Sequence, residues 1–316
     1  MKAYQKRVIL SFLVLSIGAN IFFVFFRSHT NSEHTVKNLS QTYPYLSKRI
    51  FTENKNDVII NFIPLRQALR EYIAKQNGTT GVYFEYLPSG TSIGVDDTKE
   101  IKLASLAKVP LVMSILKKVE RHKLSLSDSA TITPADIDKG FGTLWQKGPG
   151  ATLSIQELIE YTLVQSDNTA YNVLYDLLTA QEVNEAYDNL DIPLIHADNT
   201  ILSSPKSYAS IFRSLYLSSF LSEQDSNYIL TTLTHTLFND KIPAGIPSTI
   251  PVAHKIGVFE TSDSKQDLLS DCGIVYVPNR PYILCTFVNN SDATAQKNIS
   301  YISKMIYGYV SQVEGN

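Results

Sequence analysis

Residues 102–120 read KLASLAKVPLVMSILKKVE, and the fold turns on how they are read. Val109, Val112, Leu116 and Val119 recur at three- and four-residue steps, the spacing of one apolar stripe on an α-helix. Ser105 and Lys108 fall outside that stripe, one turn apart at the end that enters the core. A lysine is seldom buried without a partner, and it gives up its proton readily when desolvated. Either Lys108 bends out to water, or it is held beside Ser105 for a chemical reason.

Working outward from this helix, the N-terminal side carries a helical pattern over Ile59–Lys75. The stretch TTGVYFEYLPSGTSIGV follows as a strand, a turn at Pro88-Ser89-Gly90 and a return strand. The C-terminal side is mostly helical from about 122 to 245. Thr133-Pro134-Ala135-Asp136 has the form of an N-cap with proline in the first turn. Ser154–Glu157 is a capping box, and Ser222–Asp225 opens another helix. Strand periodicity then returns in VAHKIGVF, CGIVYVP and YILCTFV. A last amphipathic helix is expected from about Ala293 to Val313, with Ile299, Ile302, Met305, Ile306, Tyr309 and Val313 on one face. Two early and three late strands must meet in one antiparallel sheet. The expected class is α/β (α+β), with an all-helical block inserted into the sheet and a cleft between the two parts.

The 316-residue chain carries a net charge of −2, which offers no basic field for nucleic acid. Val8–Phe26 is an uncharged apolar run preceded by Lys2, Lys6 and Arg7. That pattern predicts a single-pass membrane signal-anchor over 1–27, with the rest of the chain extracytoplasmic. FFRSHTNS offers no small-residue cleavage pattern, which argues against a removed signal peptide. Residues 28–58 read as a polar tether and 59–316 as the functional domain. The only two cysteines, Cys272 and Cys285, lie on two apolar runs joined by PNRP. The hairpin read from the sequence sets them near but not directly opposite each other. Buried free thiols are therefore expected, with one disulfide as the alternative. The six histidines show no ligand spacing, so neither a metal nor an organic cofactor is expected.

Ser-x-x-Lys is a weak motif here, since Ser114/Lys117, Ser203/Lys206 and Ser262/Lys265 match it as well as Ser105/Lys108. Position separates the first pair. At the N-terminal turn of an apolar helix, unpaired N–H groups favour a developing oxyanion, and a desolvated Lys108 can activate Ser105. Ser166-Asp167-Asn168 follows the capped helix, and His254-Lys255-Ile256-Gly257 lies on a late strand where Gly257 permits close approach of a substrate backbone.

In this order, and on helix start, loop and strand, the three motifs resemble those of the penicillin-recognising serine hydrolases, class A β-lactamases above all, over about residues 60–313. The resemblance implies a β-lactamase/transpeptidase-like fold, with a five-stranded antiparallel sheet between N- and C-terminal helices. It implies that Ser105 is the acylated nucleophile and Lys108 its proton acceptor. Ser166 would relay a proton, Lys255 would supply positive charge, and Asn168 would bind a substrate amide. The N–H groups of Ser105 and Val258 would form the oxyanion hole. The implied partner is a β-lactam or a peptidoglycan stem peptide.

Two departures stand out. Ile256 replaces the family's Thr or Ser, and one lost hydrogen bond to a charged group is worth about 1.5–3 kcal/mol. Between Asp188 and Pro205 there is no glutamate to activate water. Glu185 and Asn189 have the family spacing but fall on an expected helix; Asp198 is the only plausible carboxylate substitute near the right place. These departures leave three readings open: an acyl-serine hydrolase with slow deacylation, a wall-binding module without catalysis, and an esterase or amidase for a carboxylate-free substrate.

Overall fold

The alternating run after residue 78 is a strand buried on both faces, and it sits inside a sheet that both ends of the domain complete. The computed structural model describes Tyr45 and residues 60–193, 195–197, 200–259, 268–290 and 292–312. All lie in the compact unit Tyr43–Asn316. The predicted anchor Val8–Phe26, the tether apart from Tyr45, and Asp198 lie outside the described residues. Among the described residues no helix is long and apolar enough to cross a membrane.

In chain order, α1 (Ile63–Ile73) leads to β1 (Thr79–Tyr86), β2 (Thr91–Val95) and the two-residue β3 (Ile101–Lys102). A 3₁₀ turn at Ala104–Ala107 continues directly into α2 (Lys108–Glu120). Next come β4 (Ser129–Thr131), β5 (Thr152–Ser154), α3 (Ile155–Val164), α4 (Asn168–Asp176), α5 (Ala180–Asn189), β6 (Ile195–Ala197) and β7 (Thr200–Ser203). Then α6 (Pro205–Leu217) and α7 (Glu223–Leu233) lead back to β8 (Val252–Phe259), β9 (Leu268–Val275), β10 (Tyr282–Asn289) and α8 (Asp292–Gln312).

The main sheet runs β2-β1-β10-β9-β8, antiparallel at every pairing, so chain-distant β1 and β10 are neighbours. Its two faces bury separate apolar clusters because successive strand side chains point to opposite sides. On one face Val82, Phe84, Leu269 and Leu284 meet Leu65 and Leu69 of α1 and Ile299, Ile302, Ile306 and Val310 of α8. On the other, Tyr83, Ala253, Ile274 and Phe287 meet the inserted block, in which α2 is central.

Side-chain caps start the helices of the block. Ser154/Glu157 and Thr179/Glu182 form full capping boxes; Asp167, Ser204 and Ser222 accept from the N–H two or three positions on. Each such cap is worth about 1 kcal/mol.

Several expectations need correction. α2 carries no single stripe: every residue from Lys108 to Leu116 is buried, because sheet and helices enclose it. Of the four apolar stripe residues, only Val119 in the last turn is half-exposed. Thr133–Asp136 is a turn and starts no helix; Asp136 Oδ2 accepts from the Thr133 N–H at 2.6 Å and closes it locally. The insertion is not all-helical, since β4 pairs with β5 and β7 pairs with β3 and β6. On α8 the buried stripe ends in Val310, and Val313 lies outside the described residues.

Cys272 and Cys285 are also corrected. β9 and β10 pair so that Tyr282 opposes Val275, which sets Cys285 directly opposite Cys272. Their Cα atoms are 4.1 Å apart and the two sulfurs are joined in a disulfide. Direct opposition in an antiparallel pair supplies the closeness that free thiols would not require.

Candidate active site

The short strand β3 fixes the entry to the Ser105 turn. It pairs with β7, and Leu103 donates to Ile201 O, so the chain enters the turn at a set angle. Ala104 then adopts φ 46°, a left-handed conformation that costs a non-glycine residue about 1 kcal/mol or more. The α2 register places Lys108 one turn past Ser105. The second motif is built the same way: after α3 the chain turns through Ser166 at φ 56°, and Asp167 caps α4. Asp167 Oδ1 accepts from Ala170 N–H and its Oδ2 from Leu144 N–H, so both oxygens are occupied. Gly142 is required there, since a Cβ would lie 2.0 Å from Asp167 Oδ2.

These elements converge on Lys108 Nζ. It lies 3.1 Å from Ser105 Oγ, 2.6 Å from Ser166 O, 3.3 Å from Ser166 Oγ and 2.5 Å from Asn168 Oδ1. Lys255 reaches in from β8, 2.8 Å from Ser166 Oγ and 3.2 Å from Ile256 O. Ser105, Lys108, Ser166, Asn168 and Lys255 thus form one cluster. Lys255, Ser166 and Lys108 are 0, 1 and 3 % exposed, while Ser105 and Asn168 are half-buried and face the opening.

Burial pushes the Lys108 amine down to about 8, opposed by the nearby carboxylates of Asp167 and Asp138. Burial pushes Lys255 well below the usual amine range; Lys108 and Lys241 reinforce this and Asp271 opposes it. The hydrogen-bond inventory shows which Lys108 N–H groups are committed. Ser166 O accepts only, and Asn168 Oδ1 must accept because its Nδ2 donates to Asp138 Oδ1 at 3.1 Å. The third N–H donates to Ser105 Oγ; once that proton is lost, the amine keeps the other two bonds and its lone pair faces the Ser105 hydroxyl.

Of the rival Ser-x-x-Lys pairs, Ser114/Lys117 and Ser203/Lys206 are not assembled, and Ser262/Lys265 lies outside the described residues. Lys117 is paired with Glu120, and the Ser114 and Ser203 hydroxyls are buried away from both lysines of the cluster. Glu185 lies on α5 in an ion pair with Arg121, and Asn189 Nδ2 donates to Glu185 O, so that spacing serves the helix. Gly257 also has a structural role. A Cβ there would lie 2.8 Å from Leu103 O and 2.5 Å from Ser270 Oγ, so its missing side chain makes room for the Ser105 turn against the edge strand β8. Val258 follows on that edge. Ile256 is 2 % exposed and opposes Asp271 across β8 and β9. His254 Nδ1 lies 2.8 Å from Asp271 Oδ1 and is a structural neighbour of Lys255.

Asp138 escaped the sequence reading. It orients Asn168 and accepts from Gly140 N–H, but it lies in DIDKG, which has no motif spacing. Among the described residues no group of three His, Cys, Asp or Glu is placed to hold a metal ion.

A serine, two desolvated amines and a helix start define a serine hydrolase of the class A β-lactamase type. A family model described as beta-lactamase enzyme family matches residues 64–310, and the chain belongs to that family. It is 23 % identical over 264 residues to beta-lactamase VEB-1 of Pseudomonas aeruginosa, covering 76 % of this chain and 88 % of that protein. It is 25 % identical to the structure of PBP-A, with a TM-score of 0.73 over 79 % of this chain and 97 % of the other. The extended-spectrum beta-lactamase TLA-3 shares the fold at a TM-score of 0.75 and 20 % identity, over 80 % of this chain and all of the other.

Proposed function

We propose that the protein is an extracytoplasmic, membrane-anchored acyl-serine hydrolase that opens β-lactams or peptidoglycan-type peptide amides and releases its acyl group slowly. The observation that carries this reading is the Lys108 hydrogen-bond set, which holds the desolvated amine 3.1 Å from Ser105 Oγ with its other N–H groups committed to Ser166 O and Asn168 Oδ1. Ser105 Oγ attacks the carbonyl carbon and its proton passes to Lys108 Nζ. The N–H groups of Ser105 and Val258 hold the oxyanion. When the C–N bond breaks, Ser166 Oγ gives a proton to the leaving nitrogen and is reprotonated by the amines 2.8 and 3.3 Å away.

Water then has to attack the ester. Asp167 has both oxygens occupied, Asp138 is held by Asn168 and Gly140, and Glu185 is paired with Arg121. The loop between Asp188 and Pro205 has no glutamate to activate that water, which favours a persistent adduct. A penicillin G acyl-enzyme structure exists for an L158E mutant of PBP-A, 26 % identical to this chain, which supports β-lactam acylation as the reaction to test. Membrane anchoring rests on Val8–Phe26 and the basic residues before it.

The experiment is intact-mass analysis after exposure to a fluorescent penicillin, with a time course. A stable adduct on Ser105 with little nitrocefin turnover is expected. No adduct at millimolar reagent refutes the reading, and muropeptide binding that survives Ser105→Ala would point to a non-catalytic module instead.

A further inference from the structure

Lys255 is the amine that a substrate carboxylate would have to meet, yet it is 0 % exposed and already bonded to Ser166 Oγ and Ile256 O. The Phe238 ring lies 5.9 Å from Lys255 Nζ. Phe141 stands 6.3 Å from Phe238, ring centre to ring centre, and its carbonyl accepts from Asn168 N–H at 3.0 Å. Both rings are half-exposed, so an aromatic pair stands at the surface beside the Ser166–Lys255 contact. The residue after Lys255 is Ile256, which offers no hydroxyl. The exposed cation on the Phe141 loop, Lys139, lies over the Trp145 ring at 5.4 Å. A carboxylate arriving here would leave water for two aromatic faces and an amine that has no accessible surface, a poor exchange for an anion.

We propose that the subsite bordered by Phe141 and Phe238 takes an uncharged apolar or aromatic group of the acyl donor, in the place beside Lys255 where a carboxylate would otherwise bind. The inference rests on the acyl-enzyme reading above and narrows its substrate class. An apolar group keeps its contact with both rings, while Lys255 stays committed to Ser166. The low proton affinity that burial gives Lys255 is consistent with an amine that aligns Ser166 and does not act as an anion receptor.

The test compares benzylpenicillin with its methyl ester as acylating probes of the full-length protein, read as adduct growth on Ser105 by intact mass. A site built around the carboxylate loses about ten- to hundredfold on esterification. The expected result is an ester rate no lower than one tenth of the free-acid rate, and an ester slower than that overturns the inference while leaving the acyl-enzyme reading standing. No adduct with either probe refutes the acyl-enzyme reading, and the inference falls with it. Phe238→Ala is expected to slow the ester roughly five- to tenfold while Phe238→Leu restores most of the rate; an unchanged ester rate in Phe238→Ala also overturns the proposal.

Discussion

Lys108 and Lys255 are the same side chain in two settings, and the contrast between them divides the labour of the site. Lys108 starts a helix, with the Asp167 and Asp138 carboxylates close by, and its proton affinity settles at about 8. Lys255 projects from an edge strand between a hydroxyl and a carbonyl, with an aromatic ring beside it and Asp271 as its opposing carboxylate. Desolvation acts on both amines; the carboxylates differ. The lysine that has to take up and release a proton keeps negative charge nearby, and the lysine that holds Ser166 in place has less. In such a site the helix side supplies the base, and the strand side supplies alignment and the wall against which the substrate rests.

The largest effect that could break this division is on the helix side. Ser105→Ala is expected to abolish the adduct, and Lys108→Ala to slow acylation by about 10²–10⁴-fold, as for a positioned general base. Intact-mass kinetics with a fluorescent penicillin measures both. Equal, small effects of Lys108→Ala and Lys255→Ala would erase the distinction.

A pH series sharpens it. The base acts as the neutral amine, so the second-order acylation rate is expected to rise about tenfold per pH unit below 8 and level off above. Asp138→Asn removes a charge that raises the Lys108 proton affinity, so the inflection is expected to move to lower pH. An inflection that stays in place would show that Asp138 acts on Asn168 alone.

A third effect concerns the sheet beneath Lys255. Lys255 opposes Cys272 on β9, whose disulfide to Cys285 closes a short loop. Replacing both cysteines by alanine is expected to cost about 2–4 kcal/mol of stability, measured by denaturant unfolding. The smallest effect belongs to Glu185→Gln. Its pair with Arg121 is largely exposed, so stability is expected to fall by about 0–1 kcal/mol with no change in adduct lifetime. A shortened or lengthened lifetime would make Glu185 a participant in deacylation.

How much of this was legible beforehand follows from the range of each signal. β1, β2, β8, β9 and β10 announced themselves by alternation, and the capping box at Ser154 and the N-cap at Ser222 marked α3 and α7, because those patterns are local. Thr133–Asp136 misled because the same residues close a turn as readily as they start a helix. Ser105, Lys108, Ser166, Asn168 and Lys255 could be named because each lies in a short motif whose order along the chain is distinctive. Asp138, Phe141 and Phe238 could not, since each matters only through a neighbour distant in sequence.

The amino-acid sequence by itself determined the element types, the antiparallel sheet closed from both ends, and which serine, lysines and asparagine deserved attention. Spacing and order are written along one dimension, and a local pattern needs nothing more. Only the tertiary structure decided that Lys108 reaches Ser105 with its other donors committed, that Gly257 makes room for a turn, and that Cys272 faces Cys285. Each of these depends on distances between chain-distant atoms in a dry interior, where a shift of one strand register or one helical turn would give a different chemistry.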